Sequence, residues 1–164
     1  MSAVNTLIAV PHDANSFTAW LWRNIPMTAA LRLRVQEITP SGLALAVPLA
    51  GNHNDKATAF AGALSTAVTL AGWAVVSWQC WQADLAASVV VFDAHTRYQF
   101  PVTKNFVAHA SWDMELGETF LQQLRTEGKA KIAVKTAIFQ AHRCAVQYHG
   151  HYAARLINTP NLSR

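Results

Sequence analysis

The chain has 164 residues, 52% of them hydrophobic and only 13% charged, with a formal net charge of +4. That length suits one compact domain, and seven Gly, six Pro and 10% aromatics exclude collagenous, low-complexity and disordered chains. The charge is uneven: residues 1–96 hold four Lys/Arg against five Asp/Glu (−1), and residues 97–164 hold nine against four (+5).

From the N-terminus, the only apolar run before Asp13 is Leu7 to Val10, with no basic residue ahead of it, which does not fit a secretory signal. Cys80 and Cys144 match no metal or redox spacing, so reduced, packed thiols and a cytoplasmic location are expected. Asp13 or Asn15 can cap a short helix through Phe17, Trp20 and Leu21 that stops before Pro26. Leu31 to Glu37 alternates with period two, and Pro40-Ser41-Gly42 turns the chain into Leu43 to Leu49, so a hairpin is expected.

A polar loop, Gly51 to Asp55, leads into 27 residues without any charge, 57 to 83. The stretch is long enough to cross a bilayer. Much of it, however, is Ala, Ser, Thr and Gly, it ends on Gln79 and Gln82, and Asp55, Lys56 and Asp84 flank it without a positive-inside bias. A helix apolar around most of its circumference is also what the buried centre of a soluble fold requires, and no membrane span is expected.

Ser88 to Phe100, Val102 to Trp112, Ile132 to Gln140 and Cys144 to Ala154 are rich in β-branched and aromatic residues and read as antiparallel strands. Glu115 to Glu127 reads as a helical insert, and Asn158 to Arg164 as a loose tail. The expectation is a single α+β domain over 1–164 with its core at about 17–155. In it an antiparallel sheet wraps a long central helix, the hotdog arrangement, which hides the uncharged helix without lipid.

The segment Asn52-His53-Asn54-Asp55-Lys56-Ala57-Thr58-Ala59-Phe60-Ala61-Gly62-Ala63-Leu64 resembles an Asn-x-Asn, Thr-x-Phe-Ala-Gly-Ser pattern. Leu70-Ala71-Gly72-Trp73, Asp93-Ala94-His95-Thr96-Arg97-Tyr98 with Pro101, and Gly128-Lys129-Ala130-Lys131 follow in order. Together they resemble a bacterial hotdog-fold thioesterase family whose members are also described as malonyl-acyl-carrier-protein decarboxylases. The resemblance runs from about Phe17 to Arg155, with Ala63 standing where Ser is common and Lys131 where Arg is common. It implies a homodimer or dimer of dimers with sites at the subunit interface. It also implies an acyl thioester on phosphopantetheine, carried by CoA or acyl carrier protein, and no further cofactor.

Phe60-Ala61-Gly62 lies where the loop enters the long helix, whose first N–H groups are unpaired and sit at its positive end. The Ala61 and Gly62 N–H groups can donate to a thioester oxygen as it becomes negative, and Gly62 allows close approach, although the same glycine also suits a helix–sheet contact. Hydrolytic hotdog enzymes generally carry a carboxylate in this loop or on this helix. The corresponding positions here are Asn54 and Thr69, and neither is acidic. Decarboxylation of a malonyl thioester needs no base and no attacking water, only a stabilised enolate and a poorly solvated carboxylate. It is therefore the favoured reaction, with Asn54 as the main side-chain donor, helped by Asn52. Both asparagines can alternatively shape only the turn.

Asp93, His95 and Arg97 alternate along a strand and face one side, either as a polar wall with His95 protonating the enolate, or as a structural hydrogen-bonded group. Lys129 and Lys131, with Lys135 on the same face, can meet CoA phosphates or an acidic carrier surface, or be a solvated face. His149-Gly150-His151 lacks a third ligand at a recognisable spacing, so no metal is expected. Nucleic acid is not expected, because no zinc-finger, basic-helix or RNP-like pattern is present. Hydrolysis of the thioester, and a non-catalytic acyl-thioester binding module, remain the competing readings.

Overall fold

The computed structural model describes residues 10–157; the expected apolar run before Val10 and the tail from Asn158 lie outside them. The first helix, α1 (Ala14–Asn24), starts at Asp13, whose carboxylate accepts from the Ser16 N–H at 2.7 Å while Ser16 Oγ accepts from the Asp13 N–H, a reciprocal capping box. Instead of ending helix altogether, Pro26 opens a second short one, α2 (Pro26–Ala30), at the first-turn position where its missing N–H costs nothing.

The expected hairpin is present as β1 (Arg34–Thr39) and β2 (Gly42–Val47). Its first strand begins later than the alternation suggests. Arg32 is left-handed at φ 53° and its guanidinium binds the Ala50 carbonyl, so Leu31 to Leu33 form a connector. The Trp22 indole donates to Leu33 O, and Thr18 Oγ1 accepts from the Val35 N–H at 2.9 Å, which fastens α1 to β1.

The uncharged stretch forms α3 (Ala61–Gln82). By length and composition it could cross a membrane, yet 61% of its most apolar window is buried inside the protein. The remaining elements are β3 (Ala87–Tyr98), β4 (Phe106–Ser111), α4 (Met114–Glu127), β5 (Lys129–Gln140) and β6 (Arg143–Leu156). Six strands form one antiparallel sheet in the order β1-β2-β4-β5-β6-β3, and α3 packs along its inner face against β2, β3, β4, β5 and β6. This is the hotdog fold. Residues 102–105 lie outside β4, because the Val102 carbonyl accepts from the Ala59 N–H at 2.7 Å and the Asn105 side chain accepts from the Leu49 N–H at 2.9 Å.

The tryptophans pack as the helix spacing suggests. Trp73 stacks on Trp20 at 5.9 Å, Trp78 stacks on Phe17 at 5.8 Å, and Trp81 meets Phe17 edge-on at 5.2 Å, clamping α1 to the C-terminal half of α3. Cys80 lies inside, where burial pushes its thiol up to about 12. Packed against β5 and β6, α4 is capped by Asp113 and closed by left-handed Gly128, and its Phe120 meets Trp112 edge-on.

Candidate active site at the start of α3

Loop 52–60 is a miniature hairpin. The Phe60 N–H donates to Asn52 O at 2.8 Å, His53 bridges Ala59, and the Asn54 N–H donates to Thr58 O at 2.8 Å. These rungs deliver Phe60 as the N-cap of α3 with an extended backbone and no side-chain cap. The first intrahelical bond is Leu64 N–H to Phe60 O at 3.0 Å. The N–H groups of Ala61, Gly62 and Ala63 therefore precede the helical ladder at the positive end of a 22-residue helix. A side chain at residue 62 would collide with the Phe60 ring, so Gly62 lets that ring fold over the first turn. The ring is 56% exposed and can swing away to uncover those N–H groups.

The two asparagines differ. Asn52 is buried, and its amide donates both hydrogens, to Leu31 O at 2.9 Å and Pro48 O at 2.8 Å. That corrects the expected helper role: with both N–H groups committed to the backbone, Asn52 anchors the loop and has no donor left for a substrate. Asn54 sits two rungs from Phe60. Its Oδ1 accepts from the Lys56 and Thr58 N–H groups, and its Nδ2 donates to Thr58 Oγ1 at 2.9 Å, leaving one amide hydrogen. Asp55 pairs with Lys56 at 2.9 Å in solvent.

From the second turn onward, an apolar groove of about 380 Å³ runs along α3 between Ile25 and Val91. Its lining from Ser65 and Thr66 through Thr69 to Trp73 spans eight residue steps, about 12 Å at the α-helical rise. Ser65 and Thr66 hydroxyls donate back to Gly62 O at 3.3 and 2.8 Å, which turns their apolar sides outward. Trp73 ends the groove, held by its indole bond to Val89 O at 2.9 Å. Thr69 was recognisable in the sequence only as the position lacking a carboxylate; the hydroxyl stripe at 65, 66 and 69 was the signal for the groove.

The other expected site residues lie elsewhere. After a bulge between Val91 and Asp93, the register sets Asp93 opposite His151, His95 opposite His149 and Arg97 opposite Gln147. All are on the outer face of the sheet, away from α3. Asp93 accepts from or pairs with His151 Nδ1 at 3.2 Å, so the polar contact runs across strands, not among Asp93, His95 and Arg97. Lys131 lies over the ring of the bulged Phe92 at 4.9 Å. Tyr98, whose hydroxyl donates to Ala61 O at 3.3 Å, pairs with Val146, whereas Lys131 pairs with Ala153. Seven β6 positions, about 23 Å, therefore separate Lys131 from the end of the sheet where α3 begins. Lys129 is farther still.

The family model described as "Putative thioesterase (yiiD_Cterm)" matches residues 14–156. Among solved structures, one described as the putative thioesterase from Shewanella oneidensis is 30% identical, covers 87% of this chain and 96% of that one, and superposes with a TM-score of 0.77. A protein of unknown function from Chlorobaculum tepidum is 25% identical over 88% of this chain and 97% of that one, with a TM-score of 0.82. A thioesterase from Haemophilus influenzae shares the fold at 9% identity, with a TM-score of 0.70 over 95% of this chain and 99% of that one.

Proposed function

This chain belongs to the hotdog thioesterase family just described, and from that membership and the start of α3 we propose that it decarboxylates a malonyl thioester, on acyl carrier protein or CoA, to the acetyl form. The observation that carries the reading is an uncapped helix N-terminus beside an apolar groove, with no acidic residue in α3 and Asp55 alone in loop 52–60, held in an ion pair. The Ala61 and Gly62 N–H groups bind the thioester oxygen once Phe60 turns aside. The bond between the α-carbon and the carboxylate breaks, its electron pair moves into the thioester as an enolate, and carbon dioxide leaves. Each N–H donor to the enolate oxygen lowers the barrier by about 2.7–4 kcal/mol. The groove's apolar walls strip water from the carboxylate and favour its loss. The one uncommitted Asn54 hydrogen is a further donor to the enolate oxygen, and water protonates the enolate carbon, since His95 lies on the other face. Acetyl thioester made this way feeds fatty acid synthesis.

The site is assembled by two copies in this reading. β3 is an edge strand of 12 residues, with Val91 and Tyr98 left 40% and 47% exposed on its inner side. A free edge of that length is completed by pairing with a second β3. Across a two-fold axis the strands run antiparallel, so the end of each protomer's sheet that carries Lys129 and Lys131 on its outer face comes level with the α3 start of its neighbour. There they meet the phosphates of the carrier arm or an acidic carrier surface.

Hydrolysis is the second reading, favoured by the groove of about 380 Å³, which is roomier than a malonyl group needs, and by the family description. Mass spectrometry of the protein with malonyl carrier protein, malonyl-CoA and a series of acyl-CoAs tests both. The acetyl carrier without free malonate is expected. Free acid with free thiol establishes a hydrolase instead, and saturable binding without turnover a binding module.

A further inference from the structure

The outer face of the sheet carries a recess of about 320 Å³ that the thioester reading does not use. Its floor is the small side chain of Ala137, set between His109 on β4 and Gln147 on β6 by the strand register. Lys135 and Phe139 stand on either side of Ala137 along β5, and His149 faces Lys135. One methyl among five long side chains makes a hollow in the surface. The register shift between Ile138 and Phe139 brings the Phe139 ring, 53% exposed, to 6.5 Å from the His109 ring.

The chemistry of the wall is one-sided. It presents a Lys ammonium, two imidazoles, the Gln147 amide and the Ser111 hydroxyl, and no Asp or Glu lines it. At the rim Arg97 lies opposite Gln147 and His95 opposite His149, adding a second guaranteed cation. Of the carboxylates on this face, Asp93 is held by His151 at 3.2 Å, and Glu37, in no ion pair among the described residues, borders a neighbouring recess on the far side of His109. The ion pairs among the described residues leave Lys135 out. The recess therefore offers an aromatic wall and a positive potential together. A simple anion satisfies only the second.

We propose that this recess binds a phosphorylated ring compound of the nucleotide class, its ring against Phe139 and His109 and its phosphate held by Lys135, His149 and Arg97. The volume lies in the range of small-molecule sites and suits a mononucleotide, and phosphate accepts strong charge-assisted hydrogen bonds from Lys and Arg. The same chemistry is offered by a free nucleotide and by the nucleotide end of CoA. Since the recess is on the opposite face of the sheet from the groove, its ligand binding does not depend on decarboxylation being the reaction.

Calorimetric titration of the full chain with ADP, CoA and inorganic phosphate tests it. Saturable ADP binding is expected, weakened about tenfold by Lys135→Gln and by Phe139→Ala and kept by Lys135→Arg. Both residues are solvent-exposed, so unchanged melting temperatures confirm that the variants fold. Absence of saturable binding by ADP and CoA overturns the proposal. So does equal affinity for ADP and inorganic phosphate, or binding untouched by both variants. Tighter binding of CoA than ADP, with a KM rise in Lys135→Gln for CoA thioesters alone, identifies the substrate's own nucleotide as the ligand. Equal affinities with unchanged KM identify a free nucleotide.

Discussion

The Tyr152 hydroxyl donates a 2.7 Å hydrogen bond to the carbonyl oxygen of Thr69, pinning the sheet to the middle of α3 one turn beyond the groove's first residues. Tyr148 completes the pair, its hydroxyl 2.9 Å from that of Tyr152, and burial in this contact raises the Tyr152 hydroxyl far above an ordinary phenol. Gly72 makes the approach possible, because any Cβ there would collide with the Tyr152 ring.

Two substitutions test this pin. Tyr152→Phe leaves the Tyr148 hydroxyl without its partner and is expected to cost about 1–3 kcal/mol in denaturant unfolding. Gly72→Ala gains helix propensity but overpacks a rigid ring, and should cost about as much. A Gly72→Ala variant as stable as the wild type would mean that the ring and helix have room to part.

At the start of α3 the glycine has a different neighbour. Gly62→Ala pushes only the exposed Phe60 ring aside, so the fold should melt close to the wild type. The added methyl stands in front of the N–H groups proposed to receive the thioester oxygen. A fall in kcat/KM of about 10–100-fold is expected, short of the full loss of a donor. Unimpaired turnover would remove the start of α3 from the mechanism.

The elements differ in how much of them the residues reveal. α3 stands out because a helix enclosed by sheet has no reason to carry charge, and α4 because Glu115 to Glu127 is a run of helix formers. The Phe92 bulge leaves no such trace: one extra residue in β3 reverses which face the following side chains take, and only pairing with β6 discloses it. Likewise Asn52 and Asn54 share a residue type and a loop. What separates a buried anchor from a half-exposed donor is the placement of two carbonyls, Pro48 O nearby in the chain and Leu31 O far from it, and the Leu31 contact is one that local sequence does not encode.

That distinction is measurable. Asn52→Ala strands two carbonyls in a buried position and should cost about 2 kcal/mol or more, with residual activity following the folded fraction. Asn54→Ala should lose turnover beyond its loss of stability. Equal effects of the two changes, once corrected for folding, would leave Asn54 a turn former only.

Acid should loosen α1 first. The Ser16 backbone N–H, with the Ser16 side chain second, holds Asp13 below the model-peptide value of 3.8. A carboxylate lowered in the folded state stabilises fully above 3.8, and that contribution disappears as pH falls through its folded value. Asp13→Asn keeps a capping oxygen but cannot titrate. Melting temperatures of the two proteins should therefore converge below that pH, with wild type the more stable above it. Parallel curves across the acid range would remove the Asp13 charge from the balance.

The shared-site reading makes the most discriminating prediction. If each α3 start is completed by the neighbour's Lys129 and Lys131, a Gly62→Val protein and a Lys129→Glu/Lys131→Glu protein are each poor enzymes for opposite reasons. Mixed in equal amounts and allowed to exchange subunits, half the dimers are hybrids. Each hybrid has one site with both defects and one site with neither. Activity should recover to about a quarter of the wild-type value. If the lysines instead serve the α3 start of their own protomer, every hybrid site carries one defect and mixing restores nothing. The same mixture, examined by sedimentation, reports whether dimers exist at all. A monomeric wild type would leave the β3 edge unpaired in solution, and with it the two lysines some 23 Å from any helix start they could assist.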